Sequence, residues 1–118
     1  MPVMEKIREP ILSSEARSTN GASNTSLCSD TDHADFICRV SAKSGTTPKL
    51  NIKIQSRYDS TDDWLDVPGA SFPEITTSGD YYITVTSGLL KYARASYTIT
   101  GTDASFTFSL LMIKRNKF

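Results

Sequence analysis

The stretch from Lys49 to Gly69 constrains the fold more than any other part of the chain. Its apolar residues stand at every second position: Leu50, Ile52 and Ile54. Alternation with a period of two is typical of a β-strand that has one face on a core and the other in water. An Asp-rich segment at 59–63 then turns the chain before Trp64, the only tryptophan. We therefore predict a β-hairpin, with Trp64 as a core plug at its end.

The same alternation recurs along the rest of the chain. The predicted inward faces are Phe36, Cys38 and Val40; Tyr81, Ile83 and Val85; Ala93, Ala95, Tyr97 and Ile99; and Phe106, Phe108, Leu110 and Met112. Short turns rich in Gly, Ser, Thr and Asp separate these segments, and no helix of ordinary length is expected. The pattern predicts an all-β fold, a single β-sandwich or jelly-roll-like domain of about six to eight antiparallel strands.

Two of the predicted turns resemble each other, SGTTPKL at 44–50 and TGTDASF at 100–106. Both are turns of small residues that lead into a strongly alternating strand. They could lie side by side at one end of the sandwich.

The two ends of the chain depart from the pattern. Residues 1–26, rich in small polar residues from 18 onward, are predicted as an extended N-terminal arm, and 27–118 as the β-sandwich domain. The arm is either disordered or ordered only against a partner, with Ile11 and Leu12 as anchors. Leu111 and Ile113 make the last strand apolar on both faces, so its second face is covered either by the arm or by another subunit.

Charge and composition narrow the function. The 13 basic and 13 acidic residues balance, which argues against nucleic-acid binding. No apolar run is long enough to span a bilayer, and the charged N-terminus does not resemble a signal peptide. We therefore expect a soluble protein made in the cytoplasm, with no membrane partner. Cys28 and Cys38 are expected as free thiols, although a disulfide is conceivable.

The chain shows little sign of catalytic or metal chemistry. His33 lies in an acidic turn and is expected to be solvated, and the aspartates at 30–35 and 59–63 lack the spacing of a calcium loop. No Gly-rich phosphate loop is present. We predict no cofactor, no metal site and no enzymatic activity. Tyr82 and Tyr92 fall on predicted outer faces and, with Trp64, are the candidates for a sugar-stacking platform.

Several segments together resemble small virion proteins of tailed bacteriophages. The matching elements are Gly45-Thr46-Thr47-Pro48 with Leu50 to Gln55, Asp62-Asp63-Trp64, Val67-Pro68-Gly69-Ala70 with Phe72, Lys91 to Ile99, and Gly101-Thr102 with Ser105 to Ser109. They cover roughly residues 34–110, about two-thirds of the chain. The resemblance implies a capsid decoration, or cement, protein: a β-sandwich that binds the outer head surface and stabilises contacts between major capsid subunits.

The resemblance also sets expectations for partners. The major capsid protein is the expected partner, with self-association as a dimer or trimer, and the expected location is the capsid surface of the virion. The alternatives are a tail, neck or head–tail joining protein with the same fold, or a carbohydrate-binding module on the virion surface. The candidate interface residues are Ile11, Leu12, Tyr82, Tyr92, Leu111, Ile113 and Phe118.

Overall fold

The computed structural model describes residues 5–28 and 31–116, which form β-strands and connecting loops. The strands are β1 (Glu5–Arg17), β2 (Gly21–Ala22), β3 (Ser26–Leu27), β4 (Thr31–Arg57), β5 (Leu65–Ser71), β6 (Gly79–Val85) and β7 (Tyr92–Asn116). All strand pairs are antiparallel. The prediction of a single all-β domain with six to eight strands is confirmed. Among the described residues there is no helix long and apolar enough to cross a membrane.

The two long strands β4 and β7 run side by side and are bent together in the middle. Their pairing extends from Thr31 opposite Asn116 to Arg57 opposite Tyr92, with register shifts around residues 44–49. At the bend, Gly45 and Gly101 have positive φ angles of 102° and 120°. Such bulges bend a strand and increase its local twist. The segments 44–50 and 100–106 therefore do lie side by side, but as bulged bends within continuous strands rather than as turns between strands.

The bend divides the sheet into two halves that pack face to face. The first half-sheet contains β1, β6 and residues 31–44 and 105–116; the second contains β2, β3, β5 and residues 49–57 and 92–100. Tyr97 of the second half-sheet meets Phe108 of the first edge to face, with ring centroids 5.3 Å apart. This contact joins the two layers of the sandwich across its core.

The core is formed by the inward faces that the alternation predicted. Fully or almost fully buried side chains include Phe36, Cys38, Phe106, Phe108, Leu110 and Met112 from the first half-sheet and Leu50, Ile52, Ile54, Ala93 and Ala95 from the second. Burial of each large apolar side chain stabilises the fold by about 1.5–3 kcal/mol. These residues therefore hold the two half-sheets together.

The N-terminal segment belongs to the sandwich, which corrects the prediction of a separate arm. β1 pairs with β7 from Glu5 opposite Asn116 to Arg17 opposite Phe106. Ile11 is 1% exposed and lies in the core of its own chain, so it is not available as an anchor for a partner. The chain then crosses to the second half-sheet, where Ser23 N donates to Ala95 O at 2.8 Å. Backbone pairing with β7 and burial of Ile11 stabilise the segment within the sandwich, although its small polar residues do not favour strand structure.

Trp64 is half-buried on the outer face of the second half-sheet, which corrects its prediction as a core plug. Its ring lies 4.3 Å from the guanidinium carbon of Arg57 and 4.5 Å from that of Arg94. Stacked guanidinium groups stabilise a large aromatic ring on a sheet surface without burying it in the core. The rest of the hairpin prediction is confirmed, because Gln55 pairs with Asp66 and Ser56 with Leu65.

Both cysteines are buried free thiols. Burial, with a smaller contribution from the charge of Asp80, raises the pKa of Cys38 to about 12. Burial likewise raises the pKa of Cys28. Both side chains are therefore neutral at physiological pH.

We expect neither thiol to react with a water-soluble disulfide reagent in the native protein at about pH 8, and both to react once denaturant unfolds it. Because the Cys38 thiol ionises near its ordinary value of 9.0 when unfolded but only near 12 when folded, stability should fall as the pH rises through that window. Thiol titration and denaturant melts between pH 7 and 11 would test this. Rapid labelling of the native protein, or a flat stability profile, would contradict it.

Candidate interaction surface

An apolar row crosses all four strands of the first half-sheet on its outer face. Tyr82 of β6 pairs with Ile37 of β4, Ile37 pairs with Leu111 of β7, and Leu111 pairs with Pro10 of β1. Directly opposed residues on one face of a sheet lie about 5 Å apart, so the row is continuous. Ile113 lies two residues beyond Leu111 on the same face. We call Pro10, Ile37, Tyr82, Leu111 and Ile113 the apolar band.

The band faces outward because its neighbours along each strand face the core. Phe36 and Cys38 flank Ile37 and are fully buried, as are Leu110 and Met112 on either side of Leu111. Tyr82 is 63% exposed, and Ile37, Leu111 and Ile113 are half-buried. A shallow depression of about 300 Å³ is lined by Arg8, Pro10, Leu12, Ile37, Arg39 and Leu111, among others. The outer face thus offers an apolar surface that solvent can reach.

Polar and charged groups border the band along β4. Asp35 is buried and accepts hydrogen bonds from Arg115 Nη2 at 3.1 Å and from Thr84 Oγ1 at 2.8 Å. On the other side of Ile37, Arg39 Nε and Asp80 Oδ1 lie 4.0 Å apart, and both side chains are exposed. An apolar centre with a polar rim is the usual anatomy of a protein–protein interface. Chemically, this face can bind another protein surface.

The structure brings together only part of the predicted interface set. Tyr82, Leu111 and Ile113 belong to the band, and Leu12 lines the depression while also packing against the core. Ile11 is in the core, and Phe118 lies outside the described residues. Sequence reasoning missed Ile37 and Pro10, although Ile37 is apolar on the outward side of a predicted strand.

Tyr92 lies on the outer face of the second half-sheet, opposite Arg57, with Lys91 Nζ 5.6 Å from its ring centroid. Tyr82 and Tyr92 thus occupy outer faces of different half-sheets. They do not form a single sugar-stacking platform.

The Asp-rich segments have local structural roles. In the hairpin turn, Asp59 Oδ1 accepts a hydrogen bond from Thr61 N at 3.2 Å, and the Asp59 amide donates to Asp62 Oδ2 at 3.1 Å. The hydrogen bond from Thr61 lowers the pKa of Asp59. Among the side chains that the structure describes, those of 7–28, 31 and 33–115, no group of three or more His, Cys, Asp or Glu is able to hold a metal ion. The prediction that 59–63 form a turn is confirmed.

Comparisons with known proteins place the fold. No protein-family model and no curated protein matches the sequence. Among solved structures, the chain is similar to the SPBc2 prophage-derived protein YomS, with a TM-score of 0.52, 13% identity, and 94% of this chain and 95% of YomS covered. At this identity, the likeness shows a shared fold over nearly the full length of both chains. A carbohydrate-binding module specific for non-crystalline cellulose, CBM28, matches with a TM-score of 0.40, 13% identity, and 95% of this chain and 63% of the module covered, which is too low a similarity to support a conclusion.

Proposed function

We propose that this chain is a structural virion protein of a tailed phage, a capsid decoration protein that binds the outer head surface and stabilises contacts between major capsid subunits. The observation that carries the proposal is the solvent-accessible apolar band on the outer face of the first half-sheet. The motif resemblance to phage virion proteins supports it. The fold shared with a prophage-derived protein agrees with it.

The geometry suits a protein that clamps a shell. Four strands at about 4.8 Å spacing present a rigid face roughly 15 Å wide. A face of that width buries less surface area than a standard protein–protein interface. Each copy would therefore bind with modest affinity. A ligand that binds the assembled shell better than the separated subunits stabilises assembly by mass action, and many copies act together.

Self-association as a dimer or trimer is a further proposal for the same protein. The formal net charge of zero leaves no long-range repulsion between copies. In the described sheet, β1 and β6 pair with one neighbouring strand each, so their free edges are available for lateral contacts.

The proposal is tested by adding purified protein to heads that lack it, taken from a phage whose genome encodes the chain. We expect saturable binding to the heads and a higher temperature for their heat-induced disruption. Serum albumin at equal concentration is the control for non-specific protection. Failure to bind such heads, with the purified protein shown to be folded by circular dichroism, would overturn the proposal.

A further inference from the structure

Two arginines on the outer face of the second half-sheet share one aromatic ring. Arg57 of β4 and Arg94 of β7 both stack on Trp64, at 4.3 Å and 4.5 Å from the ring centroid. Arg94 pairs directly with Gln55, so the two arginines are diagonal neighbours across adjacent strands. This arginine pair lies on the half-sheet opposite the apolar band, and its function is independent of the band.

Among the described residues, the arginine pair has no ion-pair partner. Both burial and the charge of Arg57 lower the pKa of Arg94. In the part of the chain that the structure describes, no carboxylate oxygen lies within 4.0 Å of either guanidinium group. The nearby Asp66 is engaged elsewhere, accepting from Gln55 Nε2 at 3.1 Å and lying 3.1 Å from Lys53 Nζ.

The existing hydrogen bonds use only part of the donor capacity of the pair. Arg57 Nη1 donates to the carbonyl of Asp62 at 3.3 Å, and Arg94 Nε donates to Gln55 Oε1 at 3.0 Å. Arg57 Nε is buried and has no hydrogen-bond partner. A guanidinium group has five N–H donors, so these two hydrogen bonds leave most of the donors on the pair unused.

We propose that the arginine pair binds an oxyanion, a carboxylate or a phosphate group, presented by another molecule. Planar guanidinium groups bind both groups through paired hydrogen bonds, and the stacked ring of Trp64 fixes their orientation in advance. A bound anion also relieves the repulsion between the two positive charges. On the same half-sheet, Lys53 and Ser96 line a groove of about 390 Å³ and stand two residues along their strands from Gln55 and Arg94, so the groove lies next to the pair.

The sole tryptophan makes the site directly observable. The fluorescence of Trp64 is followed while inorganic phosphate or glucuronate is added at constant ionic strength, with sodium chloride as the blank. We expect a saturable change with at least one of the two anions, with a dissociation constant of about 1 mM or tighter. A response to one anion alone supports the proposal and identifies whether the ligand group is a phosphate or a carboxylate.

Substitutions assign the binding to the arginine pair. R57Q and R94Q should each weaken binding by about tenfold or more, while R39Q, at an exposed arginine of the other half-sheet, should leave it unchanged. R94K keeps the positive charge and should bind the anion more tightly than R94Q. This comparison separates loss of the anion contact from a disturbance of Trp64. No saturable response to either anion in the folded wild-type protein would overturn the proposal, as would an equal loss in R39Q. Neither result depends on binding to phage heads.

Discussion

Replacing Gly101 by alanine should lower the free energy of unfolding by about 3 kcal/mol, the combined cost of backbone strain and a forced backbone shift. Gly101 has a φ of 120°, where an L-residue is strained. An added Cβ would lie 2.8 Å from the carbonyl oxygen of Thr47 and 3.0 Å from Pro48 Cα. Because these atoms belong to the main chain, no side-chain rotation relieves the clash. The bend on which the sandwich depends would have to open.

Gly69→Ala is the matched control for this substitution. Gly69 also has a positive φ, 73°, but a Cβ there would meet no atom within 4 Å. Its substitution should lower the free energy of unfolding by about 1 kcal/mol, the cost of the backbone conformation alone. Urea unfolding of the three proteins measures the difference. Equal losses at both glycines would show that 44–50 and 100–106 are not closely packed in the bend.

Replacing Leu111 by aspartate should weaken binding to undecorated heads by about 30-fold or more, the effect of losing an interface hot spot of 2 kcal/mol. The new carboxylate would stand at the centre of the apolar band and would lose its water on docking. Because Leu111 is half-buried, Tyr82→Asp serves as a second variant at a side chain that is already 63% exposed. Co-sedimentation with heads measures both.

Thr100→Asp is the control for the added charge. Thr100 is exposed on the outer face of the second half-sheet, opposite Lys49 and away from the band. We expect this variant to bind heads as the wild-type protein does, and all three variants to keep its circular dichroism spectrum. Undiminished binding by both folded band variants would exclude the band as the docking surface.

The period-two alternation was sufficient to predict the strand segments between residues 34 and 114 and most of their inward faces. It succeeded for Phe106, Phe108 and Leu110 because a half-buried strand must bury alternate side chains. It could not show that β4 and β7 run through the bend, because Gly45 and Gly101 suit a turn and a bulge equally well. The N-terminal strand was missed because its pairing with β7 is a long-range contact that local composition does not encode.

The candidate surface was only partly predictable for a similar reason. Leu111 and Ile113 stood out because they make one strand apolar on both faces. Ile37 and Pro10 join them only through the register of β4 and β1 against β7, which the sequence does not specify. Trp64 stacks against two arginines instead of lying in the core. This also depends on the strand register, which makes Arg57 and Arg94 diagonal neighbours on two strands.

The copy number of the chain in purified phage particles tests the central proposal most directly. A capsid shell presents many equivalent sites, whereas a neck, portal or tail component is present in few copies. Quantitative mass spectrometry against the major capsid protein, with isotope-labelled reference peptides, gives the ratio. Decoration of the shell predicts on the order of hundreds of copies per particle. About a dozen copies or fewer, or absence from the particles, would contradict it.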